Sequence, residues 1–132
     1  MWQICGKTMK KGLSKSDTQR LMQLIVKSSK VTTLALQSVK SALAGDISSA
    51  RGILDEAKAK GVEAHNVQTE MIQQEIRGEG VSTTLLSVHA QDHFMNSHLL
   101  LEVVNIIVDQ QEQIEALKER ITKLEQVGEM HE

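Results

Sequence analysis

Apolar residues recur along the chain at steps of three and four positions, which is the spacing of one face of an α-helix. In the first such segment they are Leu21, Leu24, Ile25, Thr32, Ala35, Leu36, Val39, Ala42 and Leu43. A second segment repeats the pattern at Ile47, Ala50, Ile53, Leu54, Ala57, Ala64, Val67, Met71 and Ile72. The pattern therefore predicts two long amphipathic helices.

Capping residues and glycines mark the ends of these two helices. Ser16 and Asp17 are of the types that favour the N-cap, and Gly45 is of the type that favours the position just past a helix. Asp46 is placed to cap the second helix, and the Gly-Glu-Gly sequence at 78–80 is placed to end it. We therefore expect two short links rather than long loops.

A third helix is predicted to begin at Ser82 and to continue to Gly128, because no helix-breaking residue interrupts that stretch. At ~1.5 Å per residue it would be about 65 Å long, roughly twice the ~30 Å diameter of a compact domain of this size. Its C-terminal part carries a heptad pattern of apolar residues at Leu100, Val103, Ile107, Ile114, Leu117, Ile121 and Leu124. Gln110 is the one polar residue in this pattern. In a parallel assembly, Arg120 of one chain would reach Glu125 of the next. We expect self-association here, with an amphipathic helix lying on its own bundle as the alternative.

The composition favours an all-helical chain. None of the 132 residues is proline, and Trp2 and Phe94 are the only Phe, Trp or Tyr residues. Strands favour aromatic and β-branched side chains, and loops favour proline. The fold class is therefore all-α, with a flexible arm at 1–15, a helical domain at 16–108 and a coiled-coil extension at 109–132.

Charge and cysteine content exclude several classes of protein. The net charge is −2, without the basic patch that nucleic-acid binding requires. One cysteine, Cys5, allows no intrachain disulfide. No apolar run is long enough for membrane insertion, and no secretory signal is visible. We therefore expect a cytoplasmic protein.

One short stretch combines reactive side chains with apolar neighbours. Residues 85–95 read Leu-Leu-Ser-Val-His-Ala-Gln-Asp-His-Phe-Met, which places His89, Asp92 and His93 on one helical face. Such a histidine pair can bind zinc, with Asp92 or His65 as a third ligand, but the His-Glu-x-x-His pattern of metalloproteases is missing. The other interpretation is a nucleophilic histidine, because neutral imidazole is available near neutral pH.

Two motifs follow each other along the chain, Glu-Ala-His-Asn-Val-Gln-Thr-Glu-Met-Ile-Gln at 63–73 and Val-His-Ala-Gln-Asp-His at 88–93. In sequence, order and spacing they resemble the lactose/cellobiose/diacetylchitobiose IIA family of bacterial sugar phosphotransferase systems. The glycine links also match, and the similarity runs from about Leu21 to Val108. The Gly-x-Ala-Arg-Ser stretch usual in the family is replaced by Ser-Lys-Val-Thr-Thr at 29–33.

The resemblance implies a three-helix antiparallel bundle that assembles into a homotrimer through its third helices. It also implies that His89 is the phosphorylated histidine and that Asp92 lies near the three-fold axis, where it can bind a divalent metal ion such as Mg²⁺. Further residues that could orient the imidazole or bind phosphoryl oxygens are Gln91, His93, His65 and Gln68.

The implied function is a phosphoryl relay. Phosphorylated HPr would donate to His89, and His89 would pass the group to a cysteine of a IIB component for sugar uptake through a membrane IIC component. The sugar would be a β-glucoside or galactoside disaccharide, and no nucleotide would take part. The alternatives are a non-catalytic helical oligomerisation module and a regulatory paralogue that binds partners without transfer.

The third helix can also be tested against a three-fold axis. If Asp92 faces that axis, steps of four and three continue to Asn96, Leu99 and Val103. One extra four-residue step at Val103 then joins this face to the heptad at Ile107. We therefore predict that the helix follows the axis throughout, with polar layers that include Gln110.

Overall fold

The computed structural model describes residues 12–130 and contains three α-helices, with no strand among those residues. They are α1 (Lys15–Leu43), α2 (Ile47–Ile76) and α3 (Leu85–Glu129). The all-α prediction is thereby confirmed. Most of the predicted N-terminal arm, with Trp2 and Cys5, lies outside the described residues, as do residues 131 and 132.

The links between the helices form where the sequence predicts them. Gly45 and Gly78 both adopt positive φ, at 84° and 79°, which end α1 and α2 in a conformation that glycine adopts without a steric penalty. Asp46 caps α2 by accepting a hydrogen bond from the backbone N–H of Ser49 at 3.0 Å. These contacts reverse the chain within three residues between α1 and α2.

The predicted N-caps of two helices are wrong by two or three residues. The α1 cap is Ser14, which accepts a hydrogen bond from the backbone N–H of Asp17 at 3.0 Å, so that Ser16 and Asp17 lie in the first turn. The α3 cap is Thr84 rather than Ser82. Both regions contain several hydroxyl side chains close together, and residue type alone does not select among them.

The side-chain contacts run in opposite order along neighbouring helices, as an antiparallel bundle requires. Between α1 and α2 they are Arg20–Gln74, Lys27–Glu63 and Ser38–Ala50. Between α2 and α3 they are Arg51–Glu112, Lys58–Asn105 and Gln68–Gln91.

The core consists of two clusters, one at each end of the bundle. The cluster near the α1–α2 turn includes Val31, Leu34, Leu54, Leu101, Val104 and Val108. The cluster at the opposite end lies beneath the start of α3 and includes Leu21, Leu24, Ala64, Met71, Ala90 and Phe94. This second cluster fixes the rotation of α3 where the candidate site lies.

The last part of α3 leaves the bundle. Val108 is its last buried residue, Arg51 pairs with Asp109 at 2.7 Å, and the carboxyl group of Glu115 lies beside Gly45. Residues 116–130 are all exposed, a projection of about 20 Å. Long as it is, α3 is not apolar enough to span a membrane, and neither is any other helix of residues 12–130.

Candidate functional site

The candidate site begins with the first turn of α3. Thr84 accepts a hydrogen bond from the backbone N–H of Ser87 at 3.2 Å, and the Ser87 hydroxyl accepts one from the backbone N–H of Thr84 at 2.8 Å. This reciprocal capping box satisfies backbone donors that would otherwise lack partners. It fixes the start of the helix one turn before His89.

The core beneath the site determines which side chains face solvent. Ala90 is fully buried and Phe94 is 4% exposed. Because these two residues lie on the inner face of α3, His89 and Asp92 are exposed and His93 is half-buried. The predicted face of His89, Asp92 and His93 is therefore present on the surface of the bundle.

His89 and His93 are in direct contact. Their ring centroids are 4.5 Å apart and the ring planes meet at 78°, an edge-to-face arrangement. The contact restricts the orientation of the more exposed His89 ring. A shallow pocket of about 550 Å³ beside it is lined by Leu85, Leu86 and His89.

Gln91 and Gln68 contact each other rather than His89. The side-chain N–H of Gln68 donates to the side-chain oxygen of Gln91 at 2.9 Å, which ties α2 to α3. Residues two apart on a helix do not face each other, so Gln91 points away from the His89 imidazole. Within one chain, this geometry does not bring Gln68 or Gln91, two of the predicted supporting residues, to the ring of His89.

His65 is also directed elsewhere. Its ring lies 6.1 Å from that of Phe94, and His98 stacks on Phe94 at the same centroid distance. His65 therefore packs over the aromatic residue of the core, and no contact between it and His89 is present among the described residues.

Asp92 lies at the edge of a cleft of about 450 Å³ between α2 and α3. The cleft is lined by Met71, Ile72, Glu75, Val81, Thr83, Ser87, Val88, Gln91, Asp92 and Met95. Across residues 12–130 no three His, Cys, Asp or Glu side chains are grouped closely enough to hold a metal ion. Within the described part of one chain, Asp92 therefore does not belong to a group of three such ligands.

An ion-pair network ties the motif on α2 to α1. Glu63 accepts hydrogen bonds from Lys27 at 2.8 Å and from Lys60 at 2.7 Å. The bond from Lys27, followed by that from Lys60, lowers the pKa of Glu63 from its ordinary value of 4.5 to about 2. Glu63 thus holds the two helices together and does not contact the histidines.

The apolar residues around His89 belong to the stretch that the sequence singles out, but their exposure to solvent was not predicted. Leu85 is 87% exposed, Val88 is 56% exposed and Met95 is 55% exposed. Exposed apolar side chains grouped beside a polar centre are typical of protein interaction sites. The position of Leu85 beside His89 could have been predicted from the sequence, because Leu85 precedes His89 by one helical turn.

Comparison with protein families gives an independent result for this chain. A family model described as the lactose/cellobiose-specific IIA subunit of the PTS system matches residues 19–112. That range contains both motifs and ends before the exposed part of α3.

Individual relatives agree with the family match. The cellobiose-specific EIIA component of the PTS system from Lactococcus lactis is 33% identical over 100 residues, which cover 76% of this chain and 86% of the relative. The crystal structure of the cellobiose-specific enzyme IIA from Bacillus anthracis is similar with a TM-score of 0.74 and 34% identity, covering 78% of this chain and 94% of that one. IIA(Chitobiose) from Escherichia coli, solved in complex with HPr, gives a TM-score of 0.64 at 31% identity, covering 73% and 93%.

Proposed function

The chain belongs to the lactose/cellobiose-specific IIA family of the sugar phosphotransferase system, and we propose that it carries a phosphoryl group on His89. The observation that carries the proposal is an exposed His89 in the second turn of α3, within the Val-His-Ala-Gln-Asp-His motif. The chain accepts the group from HPr, the partner named in the Escherichia coli complex.

The first transfer exchanges one nitrogen–phosphorus bond for another. An unprotonated ring nitrogen of His89 attacks the phosphorus of phosphohistidine on HPr, the bond to the HPr ring breaks, and one proton passes from the His89 ring to the released ring. Such a reaction requires in-line positioning and compensation of charge, and consumes no nucleotide or water.

The surroundings of His89 support this role. The edge contact with His93 restricts the ring before a partner arrives, which lowers the entropic cost of alignment. Leu85 and Leu86 supply an apolar surface on which a protein partner can exclude water.

The second transfer passes the phosphoryl group to a cysteine of a IIB component. The thiolate attacks phosphorus, a sulfur–phosphorus bond forms, and the His89 ring is released and takes up a proton. The exchange takes place in the cytoplasm, and a membrane IIC component uses the group for uptake of a β-glucoside or galactoside disaccharide.

Assembly into a homotrimer through α3 is part of the proposal. It is supported by the exposed apolar residues of that helix, among them Leu99 at 64% and Ile106 at 59% exposure. Three Asp92 carboxylates converging at the axis would together offer the oxygen ligands that one chain lacks, so a Mg²⁺ ion would be held between copies.

Mass spectrometry of the intact protein tests the proposal. The native chain, His89→Ala and His93→Ala are each incubated with phosphoenolpyruvate, the general phosphotransferase enzyme and HPr. We expect one acid-labile phosphoryl group per chain in the native protein and in His93→Ala, and none in His89→Ala.

The other outcomes separate the alternatives. A phosphoryl group on His89→Ala would move the site to another histidine. No phosphoryl group on any of the three proteins, with helical content intact by circular dichroism, would favour a regulatory paralogue or an oligomerisation module.

A further inference from the structure

The part of α3 that projects from the bundle is not explained by phosphoryl transfer. The family match ends at residue 112, whereas the helix continues to Glu129. Its large apolar side chains remain exposed there: Ile114 by 44%, Leu117 by 54%, Ile121 by 55% and Leu124 by 71%. An unpaired helix of this kind leaves a continuous apolar stripe in water, which is typical of an interaction surface.

This stripe is the continuation of one exposed line along the whole of α3. Its members are all exposed: Val88, Asp92, Met95, Leu99, Val103, Ile106, Gln110, Ile114, Leu117, Ile121 and Leu124. They cover thirty-six positions in ten steps, an average of 3.6 residues per step, so the line runs straight along an undistorted helix. A partner helix that lies on the first half of the line therefore also meets the second half.

The line differs from the predicted heptad at two positions. Leu100 packs against the core of its own chain and Ile107 is half-buried. Leu99 and Ile106 take their place on the exposed side. The extra four-residue step predicted from Val103 to Ile107 is therefore absent from the exposed line, which instead has consecutive four-residue steps at 95–99–103 and 106–110–114.

We propose that residues 113–129 of α3 pack in parallel and in register against the same segment of other copies of this chain. The apolar residues of the tail alternate steps of three and four, 114 to 117 to 121 to 124, as the seam of a coiled coil does. The occupant of the stripe is therefore another copy, and the seam extends any association of the bundles along the same line.

Charge complementarity selects the parallel, in-register arrangement. With Ile114 and Ile121 at the first seam position, Arg120 and Glu125 flank the seam at positions that meet between parallel neighbours in register. Neither residue forms a salt bridge with another described residue of its own chain. In an antiparallel pair these two side chains would not face each other, because like flanking positions then meet.

The tail also has a physical role in assembly. Upstream, the line contains Asp92, whose carboxylate would oppose its copies on the same face. The tail contains no acidic residue on the line itself, so it holds the copies together whatever ion or proton occupies the Asp92 layer. The proposal goes beyond the proposed function and does not depend on transfer to His89.

Cysteine crosslinking of the full chain tests the arrangement. In a Cys5→Ser background, Ile114→Cys, Leu124→Cys and the outward-facing control Glu119→Cys are oxidised separately. We expect disulfide-linked pairs from Ile114→Cys and Leu124→Cys, and few from Glu119→Cys. An antiparallel pair would crosslink at one of the two seam positions at most, and a different occupant, such as a IIB component or the chain's own N-terminal residues, at neither; each result would overturn the proposal.

Charge exchange gives a second test that leaves the helix intact. We expect Arg120→Glu and Glu125→Arg each to raise the dissociation constant of the assembly by about tenfold in sedimentation, and the double variant to restore it. A double variant as weak as the single variants would contradict the in-register contact. Phosphorylation by phospho-HPr, measured on the same proteins, reports separately on the proposed function.

Discussion

Two serines on α1 are buried, but only one of their hydroxyl groups has a hydrogen-bond partner. Ser28 and Ser38 are both fully buried. Ser38 donates a hydrogen bond to the backbone oxygen of Ala50 at 2.7 Å, whereas the Ser28 hydroxyl has no partner among the described residues. A buried hydroxyl without a partner costs free energy, and a bonded one does not.

This difference predicts unequal effects of the same substitution at the two positions. We expect Ser38→Ala to lower the free energy of unfolding by about 1 kcal/mol relative to Ser28→Ala, because both gain equally in helix propensity and only one loses a hydrogen bond. Urea unfolding of the two variants measures this difference in the free energy of unfolding directly. Equal stability of the two would show that the Ser38 bond contributes nothing net.

Glu63 predicts a pH dependence of stability. Its pKa is lowered to about 2 in the folded chain by Lys27 and Lys60, so the unfolded chain takes up a proton more readily. The stabilisation is therefore complete above pH 4.5 and is lost as the pH falls toward 2.

A substitution isolates this contribution. We expect Glu63→Gln to melt at a lower temperature than the native chain at pH 7, and the two to converge as the pH falls below 4.5. Glu70→Gln is the control, because Glu70 is exposed and forms no salt bridge with another described residue. A gap that persists unchanged to pH 2 would assign the effect to packing rather than charge.

At the scale of the elements, the helices and links were predictable because their signals are local. Gly45 and Asp46 form the expected turn, since positive φ and a capping carboxylate depend on neighbouring residues alone. The buried face of α1 was predicted less well. Leu36 and Leu43 are exposed, while Val31 is buried.

The reason is that α1 packs against both other helices. A helix with two neighbours buries a wide stripe that accepts small polar residues such as Ser28 and Ser38, and a single apolar stripe in the sequence does not reveal this. The candidate site shows the same limit. The motif identified His89 and His93, but the pairing of Gln68 with Gln91 depends on the rotation of two helices, which spacing within one helix does not determine.

The approach of α2 to α3 gives a prediction at this scale. A methyl group added at Gly61 would lie 3.2 Å from a terminal carbon of Leu101, whereas one at Gly52 would meet nothing within 4 Å. We expect Gly52→Ala to stabilise the chain by up to about 1 kcal/mol through helix propensity. Gly61→Ala should fall short of that by on the order of 1 kcal/mol, because Leu101 must shift.

Guanidinium unfolding of the two glycine variants decides this prediction. Equal gains in the free energy of unfolding would mean that α2 and α3 can move apart without a loss of stability. That result would be inconsistent with a packed contact between Gly61 and α3.

At the scale of the whole molecule, Asp92 is the residue that tests the proposed assembly of copies. The residue lies on the exposed line of α3, three residues after His89. We expect Asp92→Leu to tighten the association of copies, because it replaces converging carboxylates with apolar contacts. Sedimentation at decreasing concentration measures the change, with Glu102→Leu, an exposed acidic residue off the line, as the control. A looser assembly in Asp92→Leu would mean that Asp92 does not face the axis.

In the proposed relay, His89 is the only histidine that receives the phosphoryl group. The chain contains five histidines, so side-chain NMR of the ¹⁵N-labelled native protein can follow each ring before and after charging with phosphoenolpyruvate, the general enzyme and HPr. We expect nitrogen–phosphorus coupling on His89 and on no other ring. Coupling on His93 or His65, or on none of the five, would contradict it.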